Sequence, residues 1–395
     1  MATGTVRSNG VDLFYETRGP EDGEPLVFIM GLSAQLVFWP EGLLDAMANR
    51  GYRVIAFDNR DAGKSTAIRE PFKYGPMTAM LRYMVGLKVH APYTLDDLVA
   101  DTMGLLDALG IERAHLVGAS MGGMVAQLAA ATHPERVLSV TSIMSSTNSP
   151  FLPPPKPAAL KTLVAPRVKI ETVEDYVAFG LGMMAKLGGT LDQGREELTE
   201  MFQRSWERGL NPRGIRNQFM AIMATGNLSK RLKKVRCPAQ VIHGGSDPLI
   251  RPAGGRASAR AMPGARLAII DGMGHDFPPS VQPRLIELVA ENCARAGRTA
   301  SCARLCTLWP LPLPHTGEDV HASDRPHTPR HRVRTLPLWP LVSFPTQRRS
   351  RRPPAPALCR RPVGARPYGP NPAAPPSWRL ATVSSSCLRS SSWWW

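Results

Sequence analysis

Gly118-Ala119-Ser120-Met121-Gly122 stands between the apolar run His115-Leu116-Val117 and the segment Gly123-Met124-Val125-Ala126-Gln127-Leu128-Ala129. The first run predicts a buried strand and the second a helix. A chain that passes from strand to helix in so few residues must turn sharply. In the G-x-S-x-G elbow that turn strains the serine backbone and brings neighbouring segments close, so glycines stand where side chains would clash. The geometry lifts one hydroxyl, that of Ser120, clear of the backbone. A serine here also suits the N-cap of the following helix. What separates the two readings is whether an acid and a base stand at the ends of later strands.

Both are there, in the order Ser, Asp, His. Ala239-Gln240-Val241-Ile242-His243-Gly244 reads as a buried strand that runs into Gly245-Ser246-Asp247-Pro248. Asp247 therefore falls at a strand's carboxyl end, where ligands and catalytic groups collect in open α/β sheets. The next strand, Ala265–Ile270, ends in Asp271-Gly272-Met273-Gly274-His275. A single aspartate or histidine at a strand end is usually a turn residue; three residues of the right types at three strand ends form a constellation.

The chemistry assigns the roles. A serine hydroxyl is a weak nucleophile and needs a neighbouring base. His275 would take its proton and return it to the leaving group, while Asp247 would hold the imidazole tautomer and stabilise its cation. A tetrahedral oxyanion needs two N–H donors. Met121, after the nucleophile, supplies one, and Leu32, in the loop that follows the strand Leu26–Met30, is the candidate for the other. Loss of one such donor typically costs roughly 10²–10³ in turnover.

Met30-Gly31, Trp39-Pro40, Asp58-Asn59-Arg60-Asp61-Ala62-Gly63-Lys64-Ser65-Thr66, the elbow and Gly272-Met273-Gly274-His275 together resemble the α/β-hydrolase superfamily, and within it the branch typified by aclacinomycin methylesterase. The resemblance runs from about Val6 to about Glu291. It departs from the common pattern at Met30-Gly31, where most members carry His-Gly; a backbone donor survives that change. The resemblance implies a mostly parallel, eight-stranded sheet with helices on both faces and a helical cap. It also implies a serine hydrolase that cleaves a carboxylic ester through an acyl-enzyme, with a small alcohol leaving group and no cofactor or metal. Perhydrolases, lactonases and C–C hydrolases use the same triad on this scaffold, and non-catalytic ligand-binding relatives exist. Two imitations are set aside. Gly63-Lys64-Ser65 lacks the glycine a phosphate loop needs five residues earlier, where Asp58 stands; Asp58 and Arg60 are expected to hold backbone instead. His243-Gly244-Gly245 resembles an oxyanion motif but follows the wrong strand, and reads as turn geometry before Asp247.

The remaining pattern supports an α/β class. Asn9-Gly10 between short alternating runs predicts a hairpin. Strand and helix then alternate: Trp39–Arg50, Arg53–Phe57, Thr94–Leu109, His115–Gly118, Met121–Thr132 and Val137–Ser142. Residues 1–147 and 237–296 form the expected core, closed by a helix over Val281–Ala296. Residues 148–236 break the alternation and form the expected cap. Met183, Phe202, Trp206 and Met220 from this segment, with Phe38 and Trp39, are the candidate lining of an apolar substrate pocket. Gly180, Gly182, Gly188 and Gly189 are expected to let parts of the cap move.

Residues 297–395 differ in kind. They hold 15 arginines, no lysine and three acids, so they carry about +12 of the chain's +16. They also hold 17 of 38 prolines and four of six cysteines. No period of 2 or 3.6 is sustained, which predicts a disordered, low-complexity tail or GC-rich DNA read out of frame. Nucleic-acid binding by this tail and a metal at Cys302, Cys306 and His315 are disfavoured. Without a secretory signal or an 18-residue apolar run, a cytoplasmic enzyme acting on a small-molecule ester is the expectation.

Overall fold

The computed structural model describes residues 1–164 and 169–308, with side chains for 1–162 and 169–297. The chain opens with a hairpin of β1 (Ala2–Ser8) and β2 (Val11–Arg18). Asn9 and Gly10 sit at φ 45° and 78° between the paired residues Ser8 and Val11. Two positive φ values match the right-handed twist of the strands, and Asn-Gly tolerates them.

Strands β3 (Glu24–Ile29), β4 (Tyr52–Phe57), β5 (Ala114–Ala119), β6 (Val137–Ile143), β7 (Ala239–Gly244) and β8 (Arg266–Ile270) follow. The sheet order is β1-β2-β4-β3-β5-β6-β7-β8. β2 pairs antiparallel with β1 and β4, and all later pairs are parallel. Parallel neighbours need crossovers, and helices supply them. These are α1 (Glu41–Ala48), α2 (Pro76–Met84), α3 (Leu95–Ala108), α4 (Met121–Thr132) and α9 (Ala253–Ala261). Four helices lie between β6 and β7: α5 (Pro157–Val164), α6 (Val173–Leu187), α7 (Arg195–Glu207) and α8 (Pro212–Thr225).

Alternation along the central strands divides the apolar residues between two cores. Val27 and Ile29 face Leu98, Leu105, Val125 and Leu128 of α3 and α4. Leu26 and Phe28 face Leu43 and Met47 of α1 and Leu285 and Val289 of α10 (Gln282–Leu308). Helices thus cover both faces, as the alternation of segments predicts. β5 is buried along its whole length, which places the elbow at the end of a strand fixed on every side.

Four features depart from the sequence reading. α1 begins at Glu41, because Leu36–Phe38 form a turn of 3-10 helix and Trp39 enters the core instead. α2 and α9 are additional helices. α10 continues to Leu308, past Ala296; after Pro283 the sequence has no proline before Pro310 to stop it. The expected tail beyond Leu308 lies outside the described residues. Among the described residues Cys237 and Cys293 are free, and no helix is long and apolar enough to cross a membrane.

Candidate active site

Ser120 occupies the junction of β5 and α4 at φ 53° and ψ −116°. A non-glycine residue there carries strain of about 1–3 kcal/mol, which its surroundings must hold. They do so at three backbone points: the Ser120 N–H donates to Ile143 O (2.9 Å), and the Ser120 carbonyl accepts from Met124 N (3.2 Å) and Ser145 Oγ (2.7 Å). The flanking glycines are required by contact. A Cβ at Gly118 would overlap the Gly122 carbonyl oxygen, and one at Gly122 would overlap that of Ile29.

Asp247 and His275 meet this serine. His275 Nε2 lies 3.0 Å from Ser120 Oγ, and His275 Nδ1 lies 2.8 Å from Asp247 Oδ2. A carboxylate only accepts, so the proton is assigned to Nδ1 and the Nε2 lone pair faces the serine hydroxyl. Asp247 is 1% exposed. Its Oδ1 accepts from the N–H groups of Leu249 (2.8 Å) and Ile250 (2.9 Å), so both oxygens are committed. Ser120 and His275 stay half-buried and reachable from solvent.

The loop after β3 passes alongside. A Cβ on Gly31 would stand 3.1 Å from Ser120 Cβ, which puts Leu32 beside the elbow. Met121 is the first residue of α4, so its N–H has no partner within the helix. The two amide positions therefore flank the serine from two elements.

His243 sits under Asp247, fully buried at the end of β7. Burial lowers its pKa, so it is neutral, and Nε2 donates to Ile250 O (2.7 Å). Its 3.5 Å approach to Asp247 Oδ2 is thus not an ion pair. The ring ties the Asp247–Ile250 turn to β7, a structural place consistent with turn geometry.

The histidine loop is held from the end of α6 and the segment after it. His275 N donates to Leu187 O (2.8 Å) and Thr190 N donates to Gly272 O (2.8 Å). Asp276 Oδ2 accepts from Gln193 Nε2 (2.8 Å), and its Oδ1 from Gly274 N (3.0 Å); burial raises its pKa against these bonds. The glycines expected to give mobility have another task here. Cβ atoms at Gly188 and Gly189 would overlap Gln193 and Gly272, and one at Gly180 would stand 2.5 Å from the Phe202 ring. Only Gly182, of these four, has nothing within 4 Å.

The pocket candidates separate. Trp39 is 1% exposed, edge-on to Phe28 (5.0 Å between ring centroids) and 5.3 Å from Phe277, inside the core. Met220 is fully buried with Ala79, Val89 and Met223 where α8 meets α2. Phe202, 1% exposed, packs edge-on against Phe38 and Tyr176. These three offer a ligand no surface in this structure. Phe38, Met183 and Trp206 are half-buried.

Several residues around the site carry no motif. Gln218 of α8 accepts from Ser33 N (2.7 Å) and donates to Arg60 O (2.9 Å), clamping the loop that holds Leu32. Asn217 donates to Asp61 Oδ2 (2.8 Å), which also accepts from the Tyr93 hydroxyl (2.7 Å). Asp58 holds backbone as expected, accepting from Leu36 N (2.8 Å) and Lys64 N (3.0 Å), and is paired with Arg208; burial nevertheless raises its pKa. Arg60 instead forms a bidentate ion pair with Asp101, at 2.6 and 2.5 Å. A polar residue amid an apolar helix face, such as Gln218, was the available signal. Among the described residues, no group of three or more His, Cys, Asp or Glu is placed to hold a metal ion.

The family model for the alpha/beta hydrolase fold matches residues 24–278. Rhodomycin D methylesterase from Streptomyces sp. (strain C5) is 27% identical over 320 residues, covering 75% of this chain and 99% of that protein. A 2-hydroxy-6-oxononadienedioate/2-hydroxy-6-oxononatrienedioate hydrolase from Burkholderia vietnamiensis is 29% identical, over 64% of this chain and 81% of its own. Among solved structures, an enol-lactonase from Burkholderia xenovorans LB400 superposes with a TM-score of 0.57 at 24% identity, covering 74% of this chain and all of that one. The chain belongs to the α/β-hydrolase fold family, and it is a hydrolase.

Proposed function

We propose that this chain hydrolyses a carboxylic ester, through an acyl-enzyme formed on Ser120. The observation that carries the reading is the unbroken line Asp247–His275–Ser120, at 2.8 and 3.0 Å, ending on an accessible serine in a strained elbow. His275 Nε2 takes the hydroxyl proton as Ser120 Oγ attacks the ester carbonyl carbon. Asp247 stabilises the imidazolium that forms. The oxyanion lies against the N–H groups of Met121 and Leu32, with the positive end of α4 behind them. Collapse expels the alkoxide, which takes the proton back from His275 and leaves as the alcohol. Water then repeats the sequence on the acyl-enzyme.

Residues 148–236 serve as a cap on a core of 1–147 and 237–296, with Phe38, Met183 and Trp206 facing an apolar acyl group. A methyl ester is the favoured substrate, since the similarity to rhodomycin D methylesterase spans nearly all of that protein's length.

The test is a panel of methyl and p-nitrophenyl esters assayed with wild type and Ser120→Ala. Triad members act as a unit, so the variant should lose roughly 10⁶ in kcat. Retention of most activity by the alanine variant overturns the assignment. Turnover of lactones or carbon–carbon bonds but no ester would keep the triad and replace the substrate class.

A further inference from the structure

Helix α2 shows solvent an apolar face that nothing in the described residues covers. Met77, Leu81 and Met84 fall at i, i+4 and i+7, one side of a helix, and are 71%, 63% and 63% exposed. Val85 and Leu87 extend the strip at 62% and 53%. Single exposed apolar side chains are ordinary, but five within 11 residues form a patch. The helix is nevertheless firmly seated. Ala79 is fully buried against Met220 and Met223 of α8, and the Tyr83 hydroxyl donates to the Asn148 carbonyl. The exposed face is thus the side turned away from a docked helix.

The charge around this strip is predominantly positive. From Arg69 to Leu95 the sole acid is Glu70. Arg82 lies over the Tyr74 ring (5.5 Å), whose edge meets His90, and Arg82 Nε donates to Lys88 O (2.9 Å). The pKa of His90 is lowered first by the proximity of Lys73, then by desolvation, then by Lys88 and Arg82. Arg213 and Arg216 reach over Phe72 at 4.9 and 3.7 Å from its ring centre, extending the basic rim onto α8.

We infer that α2 and the Val85–Leu87 turn dock this protein on an anionic lipid bilayer, with the strip in the acyl–headgroup boundary and the basic rim on the headgroups. An apolar face flanked by lysine and arginine is the pattern of an interfacial helix. Each cation near such a surface contributes about fivefold in partitioning, and long basic side chains extend to the headgroups while their stems stay apolar. The same charge opposes a second copy, because apposed strips would bring two basic rims together. A nucleic acid would satisfy the cations and leave five aliphatic side chains in water.

The experiment uses the full chain, so that the 15 arginines beyond residue 296 are the same in wild type and variants. Sedimentation is measured with phosphatidylcholine vesicles and with vesicles containing phosphatidylglycerol, at low and high salt. Wild type should bind the anionic vesicles and be released by salt. Leu81→Gln with Met84→Gln, both at exposed sites, should leave the melting temperature unchanged and cut partitioning at least tenfold. Lys88→Gln should cut it about fivefold. Undiminished binding by the double variant would assign the attraction to the arginines elsewhere and overturn the inference. It is equally overturned if wild type ignores anionic vesicles; a dimer that the double variant dissolves would then assign the strip to self-association.

Discussion

Gln218→Met tests whether α8 positions the loop beside Ser120. The side chain is fully buried, accepts from Ser33 N at 2.7 Å and donates to Arg60 O at 2.9 Å. Methionine matches its length and flexibility but makes neither bond. The two abandoned groups do not cost the same. Ser33 is exposed, so water reaches its N–H and the loss is near the low end, about 1 kcal/mol. The Arg60 carbonyl is buried, and leaving it unpaired costs about 1–3 kcal/mol. A total near 2–4 kcal/mol corresponds to a fall of about 3–6 °C in melting temperature for a chain of this size. The kinetic effect is separate. Ser33 is the left-handed residue next to Leu32, at φ 67°, so releasing its N–H lets the Leu32 amide drift. Complete loss of an oxyanion donor costs roughly 10²–10³ in kcat, so a misplaced one should cost about tenfold or more with KM little changed. Calorimetry and steady-state kinetics below the variant's melting point read the two effects independently. A lowered melting temperature with kcat intact would leave Gln218 a structural residue and refute the positioning argument.

Other perturbations have equally definite outcomes. Asp101→Ala strands Arg60, which is 8% exposed at its side chain, and should cost about 3–5 kcal/mol of stability with kcat nearly unchanged; a melting temperature within about 2 °C of wild type would count against the pair. Burial raises Asp276, so the folded chain holds that proton to higher pH than the unfolded chain does. The stability this brings is present below the ordinary carboxylate range and is lost as pH rises through the raised value. Asp276→Asn escapes that loss, so its melting temperature relative to wild type should climb as pH rises above about 4; a flat difference refutes the shift. Gly182→Ala, in open space within α6, should stabilise by about 0.5–1 kcal/mol, whereas Gly189→Ala, against the Gly272 carbonyl, should destabilise and lower kcat. Equal effects at the two glycines would show that contact does not distinguish them.

What the sequence made legible is what local physics writes into neighbouring residues. The elbow glycines, the Asn9-Gly10 turn and the strand ends at Asp247 and His275 each have a short-range cause. So does the start of α3, where Thr94 N donates to the Asp97 carboxylate at 2.7 Å. The buried polar contacts were illegible for the converse reason. Gln218 and Ser33 are 185 positions apart, and Arg208 and Asp58 are 150 apart. No period or motif encodes a partner at that distance. α9 was missed because Ala253-Gly254-Gly255 is a poor helix former, held in place by packing of Gly255 on His243. Trp39 looked available to a ligand because aromatic residues suit cores and pockets equally. Only the 3-10 turn before it decides that the ring points inward, onto Phe28.

The joint between Leu187–Thr190 and Gly272–His275 bears on how such a protein can be remodelled. The proposed cap role of the helices between β6 and β7 makes their exchange a route to a new substrate, since they form one continuous insertion. Two backbone hydrogen bonds cross this joint, one of them from the amide of His275 itself. A transplanted insertion that lacks the Gly188-Gly189 pair could not approach the Gly272 carbonyl, and the imidazole would lose its backbone anchor. Chimeras that keep residues 187–190 from the recipient should therefore retain turnover where whole-insertion swaps fail. The boundary of the exchangeable module lies inside the insertion.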